Sequence, residues 1–213
     1  THPDLSPNDE FADFETMPFR VGVWVPSQAD GSYVRQAYLR GLEMAAKGMG
    51  NPYKFGLIGA SDTHVAAGAF DEDNYWSKVG VIDASPRLRG SVPLKKANPD
   101  GSKYNANNFQ TWSASGLAAV WADSNTRGDI FDAMRRKETY ATSGPRLRVQ
   151  LFAGWDFPDN AESSEDFARI GYDYGVPMGG DLTANASASA PEFLVRAVKD
   201  PMDANLDRLQ IVK

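Results

Sequence analysis

The stretch that most constrains the fold is residues 54–64, KFGLIGASDTH, where an apolar run breaks abruptly into small and polar residues. Phe55, Leu57 and Ile58 read as a short buried strand, and Gly59, Ala60 and Ser61 let the backbone turn close to a neighbour at its carboxyl end. In α/β proteins that is where the chemistry is kept. Asp62 and His64, two residues apart, offer a carboxylate oxygen and an imidazole nitrogen, a donor pair suited to zinc, manganese or iron. The same spacing also arises from an Asp that starts a turn and a satisfied surface His, so by itself it leaves both readings open.

The residues before this stretch support a strand with a helix laid against it. Val34, Tyr38, Leu42, Ala45 and Met49 recur at three- and four-residue steps, with Ser32 as N-cap and Gly48 as stop. That pattern predicts a helix over 32–47 that packs its apolar face on a sheet. Asn51 and Pro52 then punctuate the chain, so helix, turn and strand form one αβ unit that delivers Asp62 and His64 to the strand's exit. Residues 65–115 keep no period and read as a long excursion of the lid or binding-loop kind. Its acidic cluster, Asp71, Glu72 and Asp73, reads as a solvated turn, and Trp76, Tyr104, Phe109 and Trp112 as anchors to the body.

A strand is predicted at 116–121 and a helix from about residue 126 to Lys137, whose closing Arg135, Arg136 and Lys137 complement the helix dipole. In residues 138–146, ETYATSGPR, Tyr140 and Thr142 alternate as in a strand before Ser143, Gly144 and Pro145 turn the chain. Thr142, Ser143 and Arg146 are candidate contacts to a substrate's anionic or carbonyl oxygen, Arg146 offering a planar fork of donors, although a structural role at a domain junction explains them equally well. After Pro145 the period changes. Leu147, Val149 and Leu151 alternate with polar residues, Phe193–Val195 and Leu209–Val212 give two further runs, and 158–191 reads as mostly loop, so 145–213 is expected to start a β-sandwich.

Composition narrows the function classes. Among 213 residues, 42% hydrophobic content supports a real core. The net charge of -6, from 28 acidic and 22 basic residues in no long runs, points away from nucleic acid and from an anionic membrane as partners. The absence of cysteine removes disulfides, thiolate metal sites and cysteine nucleophiles. No apolar stretch approaches the roughly 20 residues that span a bilayer, so a soluble protein is expected, with a periplasmic or secreted location left open. A serine hydrolase finds little support, because no Gly-x-Ser-x-Gly elbow occurs.

Residues 31–64 and 116–157 closely resemble the C-terminal half of the domain-of-unknown-function 3604 family. SPNDEFADFE at 6–15, EDNYW at 72–76 and GVPMGGDL at 175–182 also look like family segments. That family resembles a branch of the polymerase and histidinol phosphatase (PHP) superfamily of metal-dependent hydrolases. There the last metal-ligand motif is an Asp-x-His at the end of a barrel strand, and Asp62 and His64 match it. The resemblance implies an α/β fold in which 1–144 is the C-terminal portion of a PHP-like (β/α) barrel, followed by the all-β, sandwich-like segment at 145–213. It implies a bacterial metal-dependent hydrolase that acts on a small-molecule ester, amide or phosphoester through metal-activated water. PHP-type sites use several histidines, whereas this chain has two, His2 and His64. The chain therefore reads as part of a longer protein, inactive alone, that self-associates to cover exposed sheet edges. The alternative is a non-enzymatic binding or structural module that recognises a glycan or a protein partner.

Overall fold

A computed structural model describes residues 25–28, 30–63, 85–90, 92–105, 115–185, 187 and 190–211. These fall into two compact units: one takes the described residues through Phe55, Thr63 and those at 85–105, the other Gly56–Asp62 and the described residues from 115 onward.

In the first unit the helical periodicity produces α1, Val34–Ala46. Its entry differs from the expected Ser32 cap. Tyr33 stands at the N-cap without a side-chain capping bond to the helix, and the Gln36 side chain accepts from the Gly31 N–H at 2.5 Å. Gly48, with φ of 76°, ends the helix as expected. Gly41 is the buried point of α1, because the Asn51 side chain lies against it, and Tyr38 donates from its hydroxyl to the Phe55 carbonyl at 3.0 Å. Val34, Leu42 and Met49 of the predicted buried stripe are exposed. A short helix α2, Pro86–Arg89, capped by Ser85, interrupts the predicted excursion.

The second unit holds two antiparallel sheets. Strands β1, Leu117–Val120, and β2, Thr139–Thr142, pair with Leu117 opposite Thr142 and Val120 opposite Thr139. Helix α3, Arg127–Arg135, connects them, its first turn capped by the Thr126 hydroxyl. Strand β3, Arg148–Gly154, is central to a three-stranded sheet between β4, Gly175–Pro177, and β5, Glu192–Val198. Helix α4, Phe167–Tyr174, covers this sheet, and Phe152, Ala161, Phe167 and Leu194 form the buried core between them. The Phe152 ring meets the rings of Phe167 and Tyr172 edge-on, with centroids 5.9 and 5.0 Å apart. Trp121 joins the two sheets by donating from its indole nitrogen to the Val149 carbonyl at 2.8 Å while stacking on Tyr140.

Four expectations are corrected. First, neither sheet of the described residues closes into a PHP-like (β/α) barrel: both are small and antiparallel, whereas a barrel needs parallel strands joined by crossovers. The fold is mixed α and β. Second, residues 54–60 join no ladder, and Phe55, Leu57 and Ile58 are 44, 47 and 58% exposed rather than buried. Third, the segment after Gly144 is neither all-β nor a sandwich, because its sheet is covered by α4 rather than by a second sheet. Fourth, residues 204–211 form no strand, and Leu209 and Ile211 are exposed. Among the described residues no helix is long and apolar enough to cross a membrane.

The seating of α4 rests on Gly171, where an added Cβ would lie 2.4 Å from the fully buried Phe152 ring. In an isolated helix Gly171→Ala gains up to about 1 kcal/mol. Here the forced ring displacement outweighs that gain, and a net loss of about 1–3 kcal/mol is expected in urea denaturation. An unchanged or raised midpoint would contradict this packing.

Candidate functional site

Small residues bring the exit of the 54–60 segment to the exit of β2. Thr139 Oγ1 donates to the Leu57 carbonyl at 2.7 Å, and a Cβ on Gly59 would lie 2.4 Å from that of Ala141. Farther along, a Cβ on Gly116 would meet the Ala60 carbonyl carbon at 3.0 Å, and the neighbouring Ser115 hydroxyl donates to the Ser143 carbonyl. Any larger residue at 59 or 116 would push these backbones apart. Ser61 and Ser115 are buried there, and Asp62, next in the chain, is exposed with φ of 56°. Aspartate is one of the few residue types that adopts this left-handed conformation with modest strain.

The other sequence candidates divide. Thr142, half-buried at the end of β2, accepts from the Gly144 N–H through Oγ1 at 3.2 Å, which shapes the turn. Ser143 is exposed, and its carbonyl is held by Ser115. Arg146 is exposed too, and its backbone N–H donates to Asp200 at 2.7 Å. The Met202 N–H, joined by that of Arg146, holds the Asp200 carboxyl below its ordinary range. His64 lies outside the described residues, as do His2, Asp71, Glu72, Asp73, Trp76, Phe109 and Trp112. Tyr104 is half-exposed rather than an anchored ring. For a divalent metal, the described residues supply one candidate ligand at this place, Asp62. Among them no group of three or more His, Cys, Asp or Glu side chains could hold an ion, so by themselves they do not fit a metal centre.

A second polar constellation has no signal in the sequence. Glu138, between α3 and β2, is 5% exposed, yet its carboxylate accepts from Arg136 Nε at 2.7 Å and from the Tyr172 hydroxyl at 2.6 Å. Residue 138 follows a basic run and precedes a strand, a place where an exposed glutamate would be expected, and its partner on α4 is 34 positions away. Partial burial of the Tyr172 hydroxyl, reinforced by its bond to Glu138, pushes its pKa up to about 12, although the residue as a whole stays 47% exposed.

Over residues 1–213 the chain matches the family described as "Protein of unknown function (DUF3604)", and it belongs to that family. Comparison with curated proteins and with solved structures returned no match.

The Tyr172 bond makes stability depend on pH in a definite direction. Its pKa is raised in the folded state, so the contribution is complete below the ordinary phenol value of 10 and is lost as pH rises from there to about 12. In urea denaturation on either side of pH 10, Tyr172→Phe should lessen the alkaline fall, while Tyr38 and Tyr140, also raised by burial, keep a residual slope. At neutral pH the same change leaves a buried carboxylate one donor short and should cost about 1–3 kcal/mol. Equal alkaline slopes in the two proteins would contradict the raised pKa of Tyr172.

Proposed function

We propose that this family member carries part of the site of a metal-dependent hydrolase, with Asp62 and His64 contributing a carboxylate and an imidazole to a divalent cation, zinc, manganese or iron. The observation that carries the reading is the exposed Asp62 carboxylate, which follows buried Ser61 where two backbones close against Ser115 and Gly116. The Asp-x-His motif and its resemblance to the last ligand motif of PHP-type hydrolases add to it. The reading takes from that superfamily a chemistry and not a barrel. A bound metal of this kind supplies an activated water and polarises the scissile group of an ester, amide or phosphoester.

The chain's own contribution is positional. The bonds from Thr139 to Leu57 and from Ser115 to Ser143 tie the backbone that carries Asp62 and the one that carries Thr142 and Ser143 to common neighbours. The Ser143 hydroxyl and the Arg146 guanidinium, on exposed residues just past β2, are the groups we assign to a small substrate's oxygen atoms.

The test is elemental analysis of the purified natural full-length protein, alongside Asp62→Ala and His64→Ala. At least one tightly bound transition-metal ion per chain is expected in the natural protein, with most of it lost from each variant while both variants stay folded by circular dichroism; Asp62→Ala carries in addition the strain of alanine in a left-handed conformation. Full metal content in both variants would refute the assignment of these two residues. A natural protein free of metal after reconstitution would refute the hydrolase class.

A further inference from the structure

At the entry to β2, a cleft of about 600 Å³ opens between the end of α3, Tyr172 and the turn after β4. That volume falls within the range of small-molecule sites, roughly 300–1,000 Å³. Lys137 lines it in an unusual conformation. The Glu138 N–H bonds to the Ala133 carbonyl at 3.1 Å and the Lys137 N–H to the Met134 carbonyl at 3.0 Å, the paired bonds of a Schellman ending. Residue 137 therefore occupies the left-handed position, with φ of 66°, where glycine is the usual choice. A chain that needed only a helix stop there would be better served by glycine.

The lysine stem is also built around. A Cβ on Gly56 would meet Lys137 Cγ at 2.9 Å, and one on Gly179 would meet Lys137 Cβ at 2.8 Å and its carbonyl oxygen at 2.2 Å. Two neighbours without side chains thus make room for the stem, and Lys137 is half-buried. Arg135 lines the same cleft, and among the described residues neither it nor Lys137 is engaged in an ion pair, whereas Arg136 between them is taken up by Glu138. Asp123 and Asp181 line the cleft too, as do the mutually paired Arg136 and Glu138. Backbone strain held by well-packed surroundings is a recurrent mark of ligand sites.

We propose that this cleft binds a small organic acid, its carboxylate or phosphate group held by Lys137 and Arg135 and its hydroxyl or amine donors by Asp123 and Asp181. This inference is independent of the metal reading, which concerns the other end of β2. Isothermal titration of the purified protein at low ionic strength with inorganic phosphate, succinate and free phosphoserine tests it. The expected result is saturable one-site binding of at least one probe, weakened about tenfold or more by Arg135→Gln and by Lys137→Met, with added salt reducing it further. Lys137→Met keeps the stem between the two glycines and removes only the charge. Should that variant fail to fold, Arg135→Gln, at an exposed position in the last turn of α3, decides alone. No saturable binding of any probe, or binding undiminished in either folded variant, overturns the proposal.

Discussion

The carboxylate of Glu138 is the group on which the second unit depends. Removing a carboxylate from water costs several kcal/mol unless strong donors replace the lost hydration. Arg136 and Tyr172 supply them, at 2.7 and 2.6 Å. The backbone of the same residue is equally committed: its N–H closes the end of α3 on Ala133, and its carbonyl accepts from the Trp121 N–H at 3.0 Å just past β1. One residue therefore ends a helix, opens a strand, aligns the neighbouring strand and secures α4.

From that anchor the remaining packing follows. Tyr172 belongs to α4, so the bond to Glu138 and the edge-on contact with Phe152 fix the same helix turn from two sides. Arg196 completes the arrangement by lying 4.0 Å above the Phe167 ring while donating to the Ser164 carbonyl at 2.7 Å, which combines cation–π attraction with closure of the loop before α4. With one face of the three-stranded sheet covered in this way, a second sheet has no role on that face. Strand β2 then has a candidate location at each end, Asp62 with Ser143 at its exit and the Lys137 cleft at its entry. Both are shaped by close backbone approaches at glycines, because a strand end can bring functional groups together only where its neighbours lack bulk.

Segments whose own residues carry a period are legible from the residue pattern alone. The three- and four-residue repeat over 34–49 marks α1, the cap region at 122–125 with the run that follows to Lys137 marks α3, and the alternation at 147–151 and 193–195 marks β3 and β5. Helix α4 carries the same kind of signal, since Phe167, Ile170, Gly171 and Tyr174 follow the helical spacing, but the surrounding Gly, Ala and Ser residues mask it. For the candidate location, Asp62, Thr142 and Ser143 stand out in sequence as polar residues at the ends of apolar runs. Nothing in their spacing reveals that Ser115 and Gly116 bring their backbones together.

What the sequence determined by itself was thus local: where helices and strands start and stop, and which glycines end them, because capping, propensity and periodicity act over a few residues. Tertiary structure decided the rest. Residues 55–58 are apolar enough for a buried strand, yet a strand exists only where another backbone offers ladder bonds, and among the described residues none does so there. Glu138 has the composition of a surface residue and became a buried side chain because Tyr172, 34 positions later, folds back onto it. Lys137 looks like the end of a basic helix cap, and only the approach of Gly56 and Gly179 turns it into the wall of a cleft. Each of these outcomes depends on a partner distant in the chain, and a partner's position is a property of the folded molecule that no local pattern encodes.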